Sequence, residues 1–150
     1  MWKIKLEEII KEKNLYNEQI NLGASEVELV KFKKSIKKEL QKDLPSEYSN
    51  VLKKVNGLEF NGFILYGIDE VFLEKKPNQK IHGLISNNQI WYENEDQEKY
   101  LFIGESNISW YVYDTNNERY IELDNPSGRE MVVFKELYEM LDKILSDSLL

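Results

Sequence analysis

Asp43-Leu-Pro-Ser-Glu-Tyr-Ser-Asn-Val-Leu-Lys-Lys-Val-Asn-Gly-Leu-Glu-Phe-Asn-Gly62 is the stretch on which the fold turns. Pro45 fixes its own φ and keeps Leu44 out of the α region, so a helix arriving from the N-terminal side stops before it. Proline is tolerated in the first turn of a new helix, where its missing N–H loses no partner. Tyr48, Val51, Leu52 and Val55 then share one face, predicting a helix of about two and a half turns. Gly57, beside Asn56, reads as the left-handed residue that ends it. A short helix between two stops thus separates a helical N-terminal part from an aromatic, strand-like remainder.

Upstream, Trp2, Leu6, Ile9, Ile10 and Lys13 are helically spaced and predict a helix over 2–13. Ser25-Glu-Val-Glu28 has the capping-box spacing. Leu29, Phe32, Ile36 and Leu40 continue from it as one stripe, predicting a second helix over 25–41 with Lys33, Lys34, Lys37 and Lys38 toward water. Downstream, 63–68 (FILYGI), 99–104 (KYLFIG), 109–114 (SWYVYD) and 119–123 (RYIEL) are rich in aromatic and β-branched residues that suit a pleated surface. Turn residues at 104–107 and 115–117 predict that the last three form an antiparallel meander. Ile108, Trp110 and Val112 alternate with Ser109, Tyr111 and Tyr113, predicting one core face and one face of rings with polar tips. Residues 83–94 fit a short helix or a strand. Phe134, Leu137, Tyr138 and Leu141, with Ile144 or Leu145, predict a closing helix. The expected architecture is α+β, one domain over 1–150, with N-terminal helices and a C-terminal helix packed on one face of a mostly antiparallel sheet.

The totals agree with a globular chain. At 150 residues it can bury roughly two-thirds of its unfolded surface. It has no cysteine, which excludes disulfides, thiolate nucleophiles and the usual zinc sites and fits a reducing cytosol. The opening MWKIKLEEIIKEK interrupts its apolar residues with charge, so no signal peptide is expected, and no later run is long enough to span a bilayer. A cytoplasmic protein is the expectation.

Charge is uneven. The net −7 divides into +3 over residues 1–54 and −10 over 55–150. Between Gly83 and Asp124 nine acids face only Lys99 and Arg119. Such a surface repels nucleic acid, whose binding depends on Lys and Arg neutralising phosphate, and attracts a basic protein.

Catalytic signals are weak. His82 is the only histidine, with no cysteine and no G-x-S-x-G elbow to accompany it. Phosphate-cradling glycine motifs are absent. Asp114-x-Asn116-x-Glu118 copies the first ligands of a calcium loop, but Arg119 stands where the turn needs glycine and Asn125 where a bidentate Glu belongs. No metal, cofactor or enzymatic activity is expected. Trp91 and Tyr92 sit directly before Glu93, Glu95, Asp96 and Glu98, and Trp110, Tyr111 and Tyr113 precede Asp114. Aromatic anchors rimmed by acids suit a face for a basic partner, since buried rings supply affinity and rim charges raise the on-rate. The candidate partner-binding residues are Trp91, Glu93, Glu95, Asp96 and Glu98, then Asp114 and Glu118.

The ordered set of motifs resembles the SUKH superfamily in its YrhA-like branch; the superfamily also includes the fungal Smi/Knr-type cell-wall regulators. The resemblance runs through Gly23-Ala-Ser-Glu-Val-Glu28, Leu44-Pro-Ser-Glu-Tyr48 with Val51 and Leu52, and Asn56-Gly57. It continues through Leu65-Tyr-Gly67, Ile103-Gly-Glu105, Tyr111-Val-Tyr-Asp114 and Phe134-x-x-Leu137-Tyr138. Ser35-Ile-Lys37 departs from it, standing where many relatives carry a Leu-Gly pair. What the resemblance implies is an α+β domain whose bacterial members are mostly immunity proteins. These occlude a cognate polymorphic toxin, often a nuclease, and no catalytic residues carry over. Leu44, Pro45, Tyr48 and Gly57 would define the fold, with function on the acidic surface. The alternative is an intracellular binding or scaffold module in regulation or envelope biology.

Overall fold

The computed structural model describes residues 1–150. Helix α1 (Trp2–Leu15) turns Trp2, Leu6, Ile9 and the stem of Lys13 inward. Helix α2 (Glu26–Leu40) starts in a complete capping box: the Glu28 amide donates to Ser25 Oγ at 3.1 Å and the Ser25 amide to Glu28 Oε1 at 2.8 Å. Its buried stripe is Leu29, Phe32, Ile36 and Leu40, as the spacing predicts. Helix α3 (Ser46–Lys54) begins just after Pro45, which occupies the capping position at φ −56° rather than the first turn.

The end of α3 differs from the sequence expectation. Val55 stops the helix by turning extended, φ −149°. Gly57 does hold a left-handed φ of +79°, but two residues later, where the chain passes Gly67 so closely that a Cβ on Gly57 would lie 3.3 Å from its Cα. The glycine therefore serves a backbone crossing. Tyr48 fixes the same crossing from below: it is buried, and its hydroxyl donates to the Tyr66 carbonyl. Leu44 packs against the core's edge.

After Gly57 comes a tight hairpin, β1 (Leu58–Phe60) and β2 (Phe63–Leu65), turned by Asn61 and Gly62 at φ 49° and 82°. Two successive positive φ angles match the right-handed twist of paired strands, which is why Asn-Gly makes this turn. The expected strand 63–68 is thus shorter: the Tyr66 amide still donates to the Ile103 carbonyl, but Gly67 and Ile68 turn to His82 and Asn56 at the crossing. β3 (Tyr100–Glu105), β4 (Ser109–Asp114) and β5 (Arg119–Asp124) form the predicted meander. A further strand, β6 (Glu130–Phe134), adds to β5, so Phe134 belongs to the sheet and the last helix, α5, starts at Leu137 and runs to Ser148. The six strands lie in chain order, all antiparallel.

Both faces of this sheet are covered, which corrects the expectation of helices on one face. In β4, Trp110 pairs with Leu123 and Tyr111 with Glu122, so the two rings point to opposite faces. α5 covers the Tyr111 side, with α1 packed behind it and Lys143 reaching Glu122 at 2.9 Å. Helix α4 (Leu84–Trp91) settles the ambiguous stretch as helical; it covers the Trp110 side, with α2 behind. Tyr111 and Ser109 are accordingly buried, whereas Ile108, expected in the core, is 70% exposed in the turn before β4. One apolar core joins residues from Trp2 to Leu145.

Candidate functional site

α4 exists where it does because of three residues that the sequence alone did not single out. Gly83 precedes it and carries no side chain to cap it; Asp69 does so from another loop, accepting from the amides of Ile85 (2.9 Å) and Ser86 (3.0 Å). A Cβ on Gly83 would sit 2.2 Å from Asp69 Oδ2, so glycine is required for this cap to approach. Asn88 then locks the helix to the sheet. β2 pairs with β3 only at Glu105 and Gly104, leaving the Phe102 amide and carbonyl without a strand neighbour. The fully buried Asn88 side chain takes that place, accepting from Phe102 N at 2.7 Å and donating to Phe102 O at 3.0 Å.

At the C-terminal end of α4 the chain enters the acidic segment. Trp91 is partly buried, its ring 5.4 Å from Phe102 and 5.2 Å from Trp110, and its indole N–H donates to the Tyr66 hydroxyl at 3.1 Å. Tyr66 in turn donates to Glu105. Burial, and then the Glu105 charge, push the Tyr66 phenol far above its ordinary range, so it stays a neutral donor. Tyr92 donates its hydroxyl to the Tyr100 carbonyl, and Lys42 sits 4.5 Å over its ring. Burial lowers the Lys42 ammonium, opposed by the attraction of Glu98. Asn94 caps a single 3₁₀ turn over Glu95–Gln97 by accepting from the Asp96 amide at 3.1 Å.

Between these anchors Glu93, Glu95, Asp96 and Glu98 all face solvent, and none is in an ion pair. The structure therefore brings four of the candidate acids together on one short, aromatic-pinned loop. Trp91 is the post that holds the loop, with only part of its ring toward water.

Asp114 and Glu118 lie on the neighbouring β4–β5 turn, joined to the loop's end where the Thr115 hydroxyl donates to the Lys99 carbonyl at 3.3 Å. Their roles diverge. Glu118 is exposed, at φ 53°. Asp114 is 4% exposed and builds the turn, accepting from the amides of Asn116 and Asn117, the Asn117 side chain and Arg119. Burial raises its carboxyl, but those bonds outweigh burial and hold it below its ordinary value. Arg119 also bridges Glu130 at 3.1 Å, so the Asp114 charge is already shared inside the protein.

His82 lies elsewhere, its Nε2 3.1 Å from Glu59. No group of three His, Asp or Glu side chains is placed to hold a metal ion. No helix is long and apolar enough to cross a membrane.

Two comparisons bear on this geometry. Residues 34–141 match the family model SUKH_6, described as SMI1-KNR4 cell-wall. No curated protein matches the chain. The matched span runs from the middle of α2 into α5 and so contains α3, the whole sheet and the acidic loop.

Proposed function

The chain belongs to the SUKH family of SMI1-KNR4 type, and on that premise we propose that it is a non-catalytic immunity protein that neutralises a cognate basic toxin by occlusion. The observation that carries this reading is the loop of four solvent-facing carboxylates in no ion pair, Glu93, Glu95, Asp96 and Glu98, anchored by the hydrogen bonds of Trp91 and Tyr92. Fixed like charges on a stiff support keep their field when a partner docks, because little conformational freedom remains to be lost. They speed encounter with a cationic surface, and a nuclease domain is such a surface, since it must bind phosphate. Glu118 extends the negative face on the adjoining turn. Covering a toxin's basic cleft needs only complementary shape and charge, and no reacting group of the inhibitor.

The test is genetic and biochemical together. A toxin domain encoded beside this gene should co-purify with the protein at a fixed ratio, and co-expression should protect cells from it. Isolation of a stable housekeeping partner from cells that encode no such toxin, with no protection, would instead support a scaffold in regulation or envelope biology.

A further inference from the structure

On the opposite side of the sheet the charge reverses. Tyr138 belongs to α5, the helix covering the Tyr111 face, whereas the acidic loop follows α4 on the Trp110 face. Beside Tyr138, a solvent-open groove of about 620 Å³ runs between the start of α1, the end of α3 and α5. Its floor is the stacked pair Trp2 and Tyr138, ring centroids 5.7 Å apart and 12° from parallel. Its walls carry Lys3, Lys53, Lys54 and Asn50, and no acid lines it. Lys3 and Lys54 are exposed and in no ion pair; Lys53 meets only the exposed Glu26, at 3.0 Å. In a chain of net charge −7, three lysines around one acid-free concavity are a local reversal of sign.

We propose that this groove is a second binding surface, which takes a short acidic segment of a partner polypeptide. Three observations choose that occupant. The charge is complementary: two ammonium groups in no ion pair, Lys54 and Lys3 (the latter 5.8 Å from the Trp2 ring centroid), and a third, Lys53, held by one exposed carboxylate can each receive a carboxylate of the segment. The Asn50 amide, which donates to the Tyr138 hydroxyl at 3.2 Å, also stands at the wall, and its side-chain oxygen, which makes no hydrogen bond within the protein, is an acceptor for a peptide N–H. The occupant must also be short. A long polyanion such as nucleic acid would extend past the seven residues that line the groove onto a protein of net charge −7. Trp2 itself offers no face for base stacking, since it is 6% exposed and its ring is covered by Tyr138. This surface goes beyond the immunity reading and does not depend on it: a protein with an acidic face and a basic groove on opposite sides can hold two partners at once.

The test titrates the whole protein at low salt with an acetylated oligo-glutamate hexapeptide and follows backbone amide resonances. The expected result is saturable shifts at Lys3, Asn50, Lys53 and Lys54. The Lys3→Ala, Lys54→Ala double variant should bind at least about tenfold more weakly, and the Lys3→Arg, Lys54→Arg variant should regain binding because it keeps the charges. Both positions are exposed and unpaired, so an unchanged melting temperature confirms that the variants are folded. Shifts spread instead over the α2 lysines Lys31, Lys34 and Lys38 would overturn the proposal. So would a double variant that binds as well as the parent, or a single-stranded oligonucleotide of equal charge that occupies the groove as tightly as the peptide. No toxin enters the experiment, so its failure would leave the immunity reading standing, and the reverse.

Discussion

The Trp91 indole N–H donates to the Tyr66 hydroxyl at 3.1 Å, and this one bond ties the acidic loop to the interior of the sheet. Tyr66 is fully buried and donates its own hydroxyl hydrogen bond to Glu105 at the end of β3. A surface loop is thereby referenced to the core through a three-residue polar chain. Because the middle member is a neutral donor, the chain is directional: the indole gives, the phenol gives, the carboxylate receives.

Tyr66→Phe removes only the oxygen at the centre of that chain. The expected loss is about 1–3 kcal/mol, since a buried donor and acceptor lose their partners. In a domain of this size each kcal/mol lowers the melting temperature by about 2–4 °C. Hydrogen exchange should quicken at residues 92–98 while the meander stays protected. A melting temperature and loop protection equal to the parent's would show that the chain carries nothing.

Asn88→Ala should cost about as much for a different reason, because the Phe102 amide and carbonyl would be left unpaired under a helix that water cannot enter. Asn88→Asp keeps the acceptor and loses the donor, so urea denaturation should rank it below the parent as well. Stability within about 0.5 kcal/mol of the parent for both, the range of ordinary surface changes, would contradict the role given to Asn88.

The acid limb of stability follows from two buried carboxylates. Burial pushes Glu28 up, but the amides of Ser25 and Glu74 and the Ser25 side chain outweigh it and leave Glu28 below its ordinary value; Asp114 is lowered likewise. A carboxyl with a depressed folded pKa contributes stability that is present above its unfolded value, near 4, and is lost as pH falls through the folded one. Glu28→Gln and Asp114→Asn should therefore lower stability at neutral pH and flatten its decline below about pH 4. Denaturant melts from pH 7 to pH 2 check both; a parallel decline in parent and variants would contradict the assignment.

What could be read in the sequence was whatever is governed by local chemistry. Ser25 and Glu28 announce α2 because a capping box is a bond between near neighbours, and Pro45 announces the break because its ring acts on Leu44. Asn61-Gly62 carries an equally local signal, a two-residue hairpin turn between apolar runs, but it lies only four residues after Gly57, whose own turn signal masks the short β1 between them. β6 gave less: Glu130 to Phe134 is one short apolar run, indistinguishable by period from the start of the helix that follows. The two-sided sheet was not legible, because Tyr111 and Ser109 alternate with Trp110 as they would on a half-exposed strand, and only α5 on one side with α4 on the other makes both faces interior. The acids Glu93 to Glu98 stood out by composition. That Asp69, Asn88 and Tyr66 hold them in place depends on contacts between residues far apart in the chain, and no spacing records those.

The most direct test of the central claim is the association rate of the protein with a basic toxin domain encoded beside it, measured by stopped flow across ionic strength. Glu95→Lys, Asp96→Lys reverses two exposed, unpaired charges and should leave the melting temperature unchanged. At low salt it should slow association by at least about tenfold, and the two rates should converge as salt rises. A double variant that associates as fast as the parent at low salt would remove the acidic loop from the interface, and with it the proposal that this protein acts through that face.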